Sequence, residues 1–378
     1  MKRLLIVSGL LASFSSISDT NLNGFATMAS GTVISGNDLI EGYDKSLSFE
    51  PNSLLGIQLS SNFSEKNSAV IQVITRGDES WDIDVDWAYI SHKYNDEITF
   101  NAGRQRIPFF YYSEYIDVGY ALPWITPPTA VYGIMTDTYT GVSGRYQTTK
   151  MNYTHSVDVI FGGNKERITL SDGTEMDVEL KKVSGVSWSV NRDELTARGS
   201  YYQAKGVVDN SPFLDVLYSA WDGTSFTTIT DEVTLDGDTV SFAGVALNYD
   251  GFENVFATEY TVVDYGNSMV QDEDRSFYAM LGHRFGNLLV HATFGAKRSS
   301  ISYPDTSFIE GSHPSIDELI GLTNASIELF ESDSRFKQIG IRYDTDSGIA
   351  MKAEYRINDN QLTREKTEMI QASMSVIF

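Results

Sequence analysis

The sequence predicts an all-β fold, a 16-stranded antiparallel transmembrane β-barrel with short periplasmic turns and long extracellular loops. Three observations predict it. Apolar and polar residues alternate with period two from Asn21 to the end, as half-buried strands do. The connections between these segments alternate between short and long, which a barrel in a membrane explains and a soluble sandwich does not. No stretch approaches 18 apolar residues, so a spanning helix is excluded while spanning strands are not.

The chain has 378 residues, no cysteine and a net charge of 28 − 51 = −23. Such an acidic surface repels phosphate backbones, so no nucleic-acid partner is expected. Aromatics at 12% are too many for a disordered chain. Without cysteine there is no disulfide framework, no thiolate metal site and no thiol nucleophile. The five histidines are scattered, and no G-x-S-x-G, H-E-x-x-H or phosphate-binding loop is present. We therefore expect no enzyme, no cofactor and no metal.

Residues 1–18 read as an export signal. Met1-Lys2-Arg3 is basic, Leu4 to Phe14 is an apolar core too short to span a bilayer, and serines follow near the cut. The remainder, 19–378, reads as one barrel. Sixteen segments begin near Leu22, Leu54, Ala69, Asp82, Ile98, Tyr139, Met151, Val183, Leu195, Val240, Asn254, Ser276, Leu288, Phe336, Ile349 and Glu368. Boundary placement also allows fourteen or eighteen. The long connections are 36–52, 107–138, 162–182, 205–239, 264–275, 299–335 and 358–367, with 77–81 a short exception. Within 299–335, Pro314 to Phe330 has helical spacing, although an irregular loop fits equally well.

Parity assigns faces. Ile83, Val85, Trp87 and Tyr89 form an apolar, lipid-facing set, leaving Asp82, Asp84 and Asp86 as an acidic luminal stripe. Leu195 and Tyr201 outside put Arg198 inside. The same argument places Arg76, Arg145, Arg342, Lys352 and Arg356 on the pore wall. Arg104 and Arg106 stand where a strand meets the loop, and Arg104 conflicts with the parity of Ile98 and Phe100 unless a bulge intervenes. Each cation alone reads as a solvated wall residue. Together some must oppose the loop, since charge facing lipid at mid-depth is costly.

The segment 107–138 is the most informative. Pro108, Pro123, Pro127 and Pro128 are four of the chain's eight prolines, which excludes a central strand. Its aromatic rings are too apolar for a solvated loop, so it folds into the lumen or packs on a neighbouring subunit, and the lumen is preferred. Glu114, Asp117 and Asp137 would then place negative charge at a constriction.

The last strand closes on Phe378, an aromatic on the apolar face, where membrane barrels carry aromatic girdles. With DTNLNGF at Asp19 to Phe25, AGRQRIPFF at Ala102 to Phe110 and MSVIF at Met374 to Phe378, the chain resembles the Gram-negative outer-membrane porins of the trimeric diffusion type. The resemblance implies a sixteen-stranded barrel in the bacterial outer membrane, a homotrimer among lipid and lipopolysaccharide, and a third loop that narrows the pore. It also implies that Phe378 belongs to the barrel-assembly signal. Two departures are visible. Residues 114–137 are unusually aromatic and proline-rich, and 77–81 is too short for a long inter-subunit latch. The expected function is passive diffusion of ions and small hydrophilic solutes, with weak cation preference. The rivals are a sugar-selective channel, favoured by an aromatic track in 107–138, and a plugged structural or adhesive barrel.

Overall fold

The alternating segments become a sheet that closes on itself. A computed structural model describes residues 19–378 apart from 135, 170–174, 210–211, 227, 230–235, 267–271 and 329. The signal reading of 1–18 lies outside the described residues. Among the described residues sixteen strands occur: β1 (Asp19–Ser35), β2 (Leu54–Asn62), β3 (Asn67–Arg76), β4 (Ile83–Lys93), β5 (Ile98–Arg106), β6 (Thr138–Lys150), β7 (Tyr153–Thr169) and β8 (Glu175–Arg192). The second half has β9 (Leu195–Asp209), β10 (Asp236–Asp250), β11 (Asn254–Asp264), β12 (Glu273–Phe285), β13 (Leu288–Ser300), β14 (Ser332–Asp344), β15 (Ile349–Asn360) and β16 (Lys366–Ile377). Each pairs antiparallel with its sequence neighbours, and β1 pairs with β16 to close the barrel. Closure leaves no unpaired edge, which a strand in hydrocarbon requires.

The seam is finished by the last residue. Gly24 N–H donates to the Phe378 carbonyl (2.7 Å) and Phe378 N–H donates to that of Gly24 (2.9 Å). The Phe378 ring lies against Gly24, where a Cβ would collide with it.

One end of the barrel carries the tight connections, such as 151–152, 193–194 and 286–287. The other carries the long ones. Short helices lie among the latter, including α1 (Thr129–Tyr132), α2 (Pro212–Asp222) and α3 (Pro314–Glu328). α3 resolves the helix-or-loop alternative at 314–330 in favour of a helix. It packs on α2 through Trp221 and Ile320, and Trp221 Nε1 donates to Thr323 Oγ1 (2.8 Å).

Two expectations about loops are corrected. Most of 162–182 is not loop, because β7 and β8 continue as a paired ribbon to Thr169 and Glu175. Polar residues there, including Lys165, Glu166 and Glu179, pair outside any apolar band, so hydropathy gives no sign of the extension. The 358–367 connection shrinks to 361–365 for the same reason.

A third correction concerns faces. On β4, Val85 pairs with Val73 and Trp87 pairs with Gln72, so one residue, Asp86, is extra. This β-bulge flips the parity of everything after it. Trp87 and Tyr89, read as lipid-facing, turn into the barrel, where they line an internal cavity. Asp86 is buried, whereas Asp82 and Asp84 are exposed near the long-loop end, so the predicted acidic stripe is not continuous.

Candidate functional site

The interior is occupied by 107–137, the connection between β5 and β6. It is proline-rich and lacks regular structure beyond α1 and single turns at Ser113–Tyr115 and Gly119–Ala121. Its rings form a core with inward side chains of the wall. Phe109 packs on Tyr202 and Phe242, Phe110 on Tyr132, and Trp124 edge-on against Tyr278. Burying such rings is worth roughly 1.5–3 kcal/mol each. This is what holds an aromatic loop inside a polar lumen. Most of the loop's rings are therefore spent on packing, leaving Tyr111, Tyr115 and Tyr120 partly exposed.

A loop without regular structure leaves its own carbonyls and amides to be satisfied by side chains. The wall supplies them. Arg198 Nη2 donates to the Pro108 carbonyl (2.6 Å) and Ser200 Oγ to that of Phe109 (2.7 Å). Arg342 Nη1 donates to the Leu122 carbonyl (2.8 Å), and Lys352 Nζ to those of Gly119 and Trp124. Glu354 accepts from Ile125 N–H (3.0 Å) and Glu259 from Tyr111 N–H (3.0 Å) and Tyr132 Oη. Trp124 Nε1 donates to Thr293 Oγ1 (2.8 Å). Gly119 comes so close to β1 and β16 that a Cβ would strike Thr27 Oγ1 and Ser375 Oγ.

The predicted cations thus serve largely as anchors. Arg198, Arg342 and Lys352 bind loop carbonyls. Arg356 pairs with Glu41, which also accepts from Thr126 and Thr129. Glu41 sits in the first long connection, which folds inward as well, with Tyr43 buried against Gly31 and Met369. The pattern of 36–52 gave no sign of this. Arg104 pairs with Glu166 (2.5 Å), with Gly103 before it at φ +138°.

At the β3–β5 side charges converge. Arg106 meets Asp86 (2.9 Å), Asp117 (2.7 Å) and Asp137 (3.0 Å), and Arg76 also meets Asp117 (3.2 Å). Two of the three predicted loop acids therefore bind a wall arginine that sequence placed beside them. Burial alone raises the pKa of Asp117, but the guanidiniums of Arg106 and then Arg76 outweigh it and hold it at about 2. Such a buried network fixes the base of the loop. Removing one partner of a buried pair costs about 3–5 kcal/mol.

Glu114 differs. It reaches away from this cluster to Arg145 on β6, which also binds Asp158 on β7 (2.5 Å). Glu114 and Arg145 are half-exposed, because they border the space the loop leaves open, whereas Asp158 is buried beneath Arg145. That space is a cavity of about 320 Å³ between β4–β7 and loop residues 108–114. Trp87, Tyr89, Asn101, Gln105, Tyr139 and Ser143 line it with the Arg145–Glu114 pair. Of the residues singled out by sequence, Arg106, Glu114 and Arg145 are at this cavity, while Arg198, Arg342, Lys352 and Arg356 are across the loop. Trp87 and Tyr89 were missed because the bulge at Asp86 has no sequence signature.

No known family model matches the sequence, and no protein of established function matches it by sequence. Solved structures do match its fold. The outer-membrane channel DcaP of Acinetobacter baumannii superposes with a TM-score of 0.57 at 14% identity, covering 95% of this chain and 97% of that one. OmpF of Salmonella typhi, solved with daunomycin, gives 0.56 at 12% identity, with coverages of 95% and 97%. The anion-selective porin of Comamonas acidovorans gives 0.54 at 12%, with 95% and 99%.

Proposed function

We propose that this chain, which has the fold of the Gram-negative outer-membrane porins, forms a narrow water-filled channel in a bacterial outer membrane. It passes ions and small hydrophilic solutes by passive diffusion and does no chemistry. The observation that carries this reading is the polar, charge-bordered cavity between β4–β7 and the inward loop. A sixteen-stranded barrel leaves an aqueous lumen unless something fills it. Here the loop fills most of it and leaves one side open.

The anchoring makes that opening small and fixed. We therefore read low, quiet conductance rather than a wide pore. At its border Arg145 faces Glu114 and Asp158, and Arg106 faces the three aspartates that hold it, so acids are in excess, which favours cations weakly. The remaining predicted wall cations contribute little, because Arg198, Arg342 and Lys352 are bonded to loop carbonyls and Arg76, Arg104 and Arg356 are neutralised by Asp117, Glu166 and Glu41.

The outer face supports a trimer. From Phe100 on β5 round to Tyr343 on β14, every strand carries an exposed aromatic. On β1–β4 there is none among the exposed large side chains, which are Leu, Ile, Val and Met. Aromatics belong at the lipid interface, so the aromatic-free sector fits against copies of the same chain. The first 18 residues then serve as the export signal, and Phe378, which closes the seam, as part of the assembly signal.

The plugged-barrel alternative is favoured by the same dense anchoring. Swelling of liposomes carrying the refolded protein, in an isotonic small sugar or amino acid, separates the two. Swelling supports diffusion, and its absence from correctly folded protein supports the plug.

A further inference from the structure

We propose that the cavity beside β4–β7 is a binding subsite for a pyranose sugar of one or two rings, with Trp87 and Tyr89 as its stacking platform. The inference rests on the channel reading above. It goes beyond it by assigning a preferred solute class and the residues that select it.

A ring that faces lipid is stabilised by its surroundings, and a ring facing a wet lumen is not. Trp87 and Tyr89 are brought to the lumen by a bulge that inverts their faces, at the expense of a ladder bond. They are not absorbed into the core that seats the loop, unlike Phe109, Phe110 and Trp124. Both remain partly exposed and line the cavity. Their centroids are 6.4 Å apart and the planes are tilted by 52°. That makes one continuous, curved aromatic surface rather than two isolated rings.

The rest of the lining is mixed, with neutral polar groups beside the platform and four charged side chains, Arg106, Glu114, Arg145 and Asp158. Asn101, Gln105 and Ser143 supply amide and hydroxyl groups, connected by Asn101 Nδ2 to Ser143 Oγ (3.0 Å) and Ser143 Oγ to Gln105 Oε1 (2.8 Å). Among the described residues, Gln105 Nε2 and Trp87 Nε1 have no hydrogen-bond partner within the protein. The Glu114–Arg145 pair closes the far rim. An apolar platform with neutral donors and acceptors beside it, and charged side chains paired with one another around it, complements a pyranose. Its C–H face is apolar and its equatorial hydroxyls point outward in the ring plane. A bare cation or phosphate would find no use for the platform. The 320 Å³ volume stands at the low end of small-molecule sites, so it holds one or two sugar rings rather than a long oligosaccharide.

The test uses the mature protein in planar bilayers, with maltose added to both sides and sorbitol at equal osmolality as the control. The expected result is a saturable fall in ion current with maltose and none with sorbitol. Trp87→Ala should raise the half-saturating concentration about tenfold, equivalent to losing one good stacking contact. Trp87→Phe, which keeps a ring, should stay close to wild type and guards against misfolding of the alanine variant. Current that ignores maltose, or falls equally with sorbitol, overturns the subsite while leaving the channel standing. Block that survives Trp87→Ala unchanged also overturns it. No current at all from folded protein overturns the channel reading and the subsite with it.

Discussion

Trp124 is the deepest anchor of the inward loop, and its removal should open the channel rather than unfold the barrel. It is fully buried, donates to Thr293 Oγ1 at 2.8 Å, and packs edge-on against Tyr112 (5.6 Å) and Tyr278 (5.4 Å). Trp→Ala in a packed core costs about 3–5 kcal/mol. The lost hydrogen bond adds on the order of 1 kcal/mol. The loss falls on the loop, because none of the ladder bonds that close β1 to β16 involve Trp124. Trp124→Ala should therefore leave the strand content unchanged and unseat 119–132 from β12–β15. Single-channel recording should then show steps at least twice the wild-type conductance, with increased open-channel noise. The same size and noise as wild type, from a variant of unchanged circular dichroism, would refute the claim that packing of this ring sets the pore.

Four further outcomes are expected. Glu114→Gln should weaken cation preference and Arg145→Ala should strengthen it, each by about two- to threefold, since a unit charge some 6 Å from a passing ion in water is worth roughly 0.7 kcal/mol before screening; reversal potentials in a salt gradient measure this. Lys352→Met should destabilise the loop by about 2–6 kcal/mol, because two buried carbonyls lose their donor, and limited proteolysis at 119–124 should report it. The guanidiniums of Arg106 and Arg76 hold Asp117 below its ordinary value of 3.8, so it contributes stability that is present above about pH 4 and lost as pH falls further; the melting-temperature difference between wild type and Asp117→Asn should be larger at pH 5 than at pH 2.5. Deleting Phe378 should lower the yield of folded barrel and leave the conductance of the molecules that do fold unchanged, as gel mobility and bilayer recording can show.

Much of the architecture was legible because a closed sheet in lipid imposes a strict rule on each residue. Alternation at Leu195 to Tyr201 or Ile370 to Met374 cannot serve any other fold as well, and β9 begins where its pattern begins. The inward loop was legible for a similar reason: four prolines and a run of rings have no stable place in water. What escaped was decided by single backbone events or by distant partners. The extra residue at Asp86 reverses the faces of Trp87 and Tyr89, yet Asp86 resembles Asp84 in every local respect. Glu41 looks like any loop acid until Arg356, three hundred residues on, meets it. Parity turned Arg198 and Lys352 inward, but it is blind to the loop carbonyls that occupy them, so it counted anchors as free wall charge.

The most direct test of the central claim is single-channel current through purified, refolded protein in a planar bilayer under a salt gradient. The expected result is small, quiet steps that close in groups of three, with a reversal potential of the sign for cations. Correctly folded barrel that passes no current, or large noisy steps with no selectivity, would contradict a pore narrowed and fixed by the anchored loop.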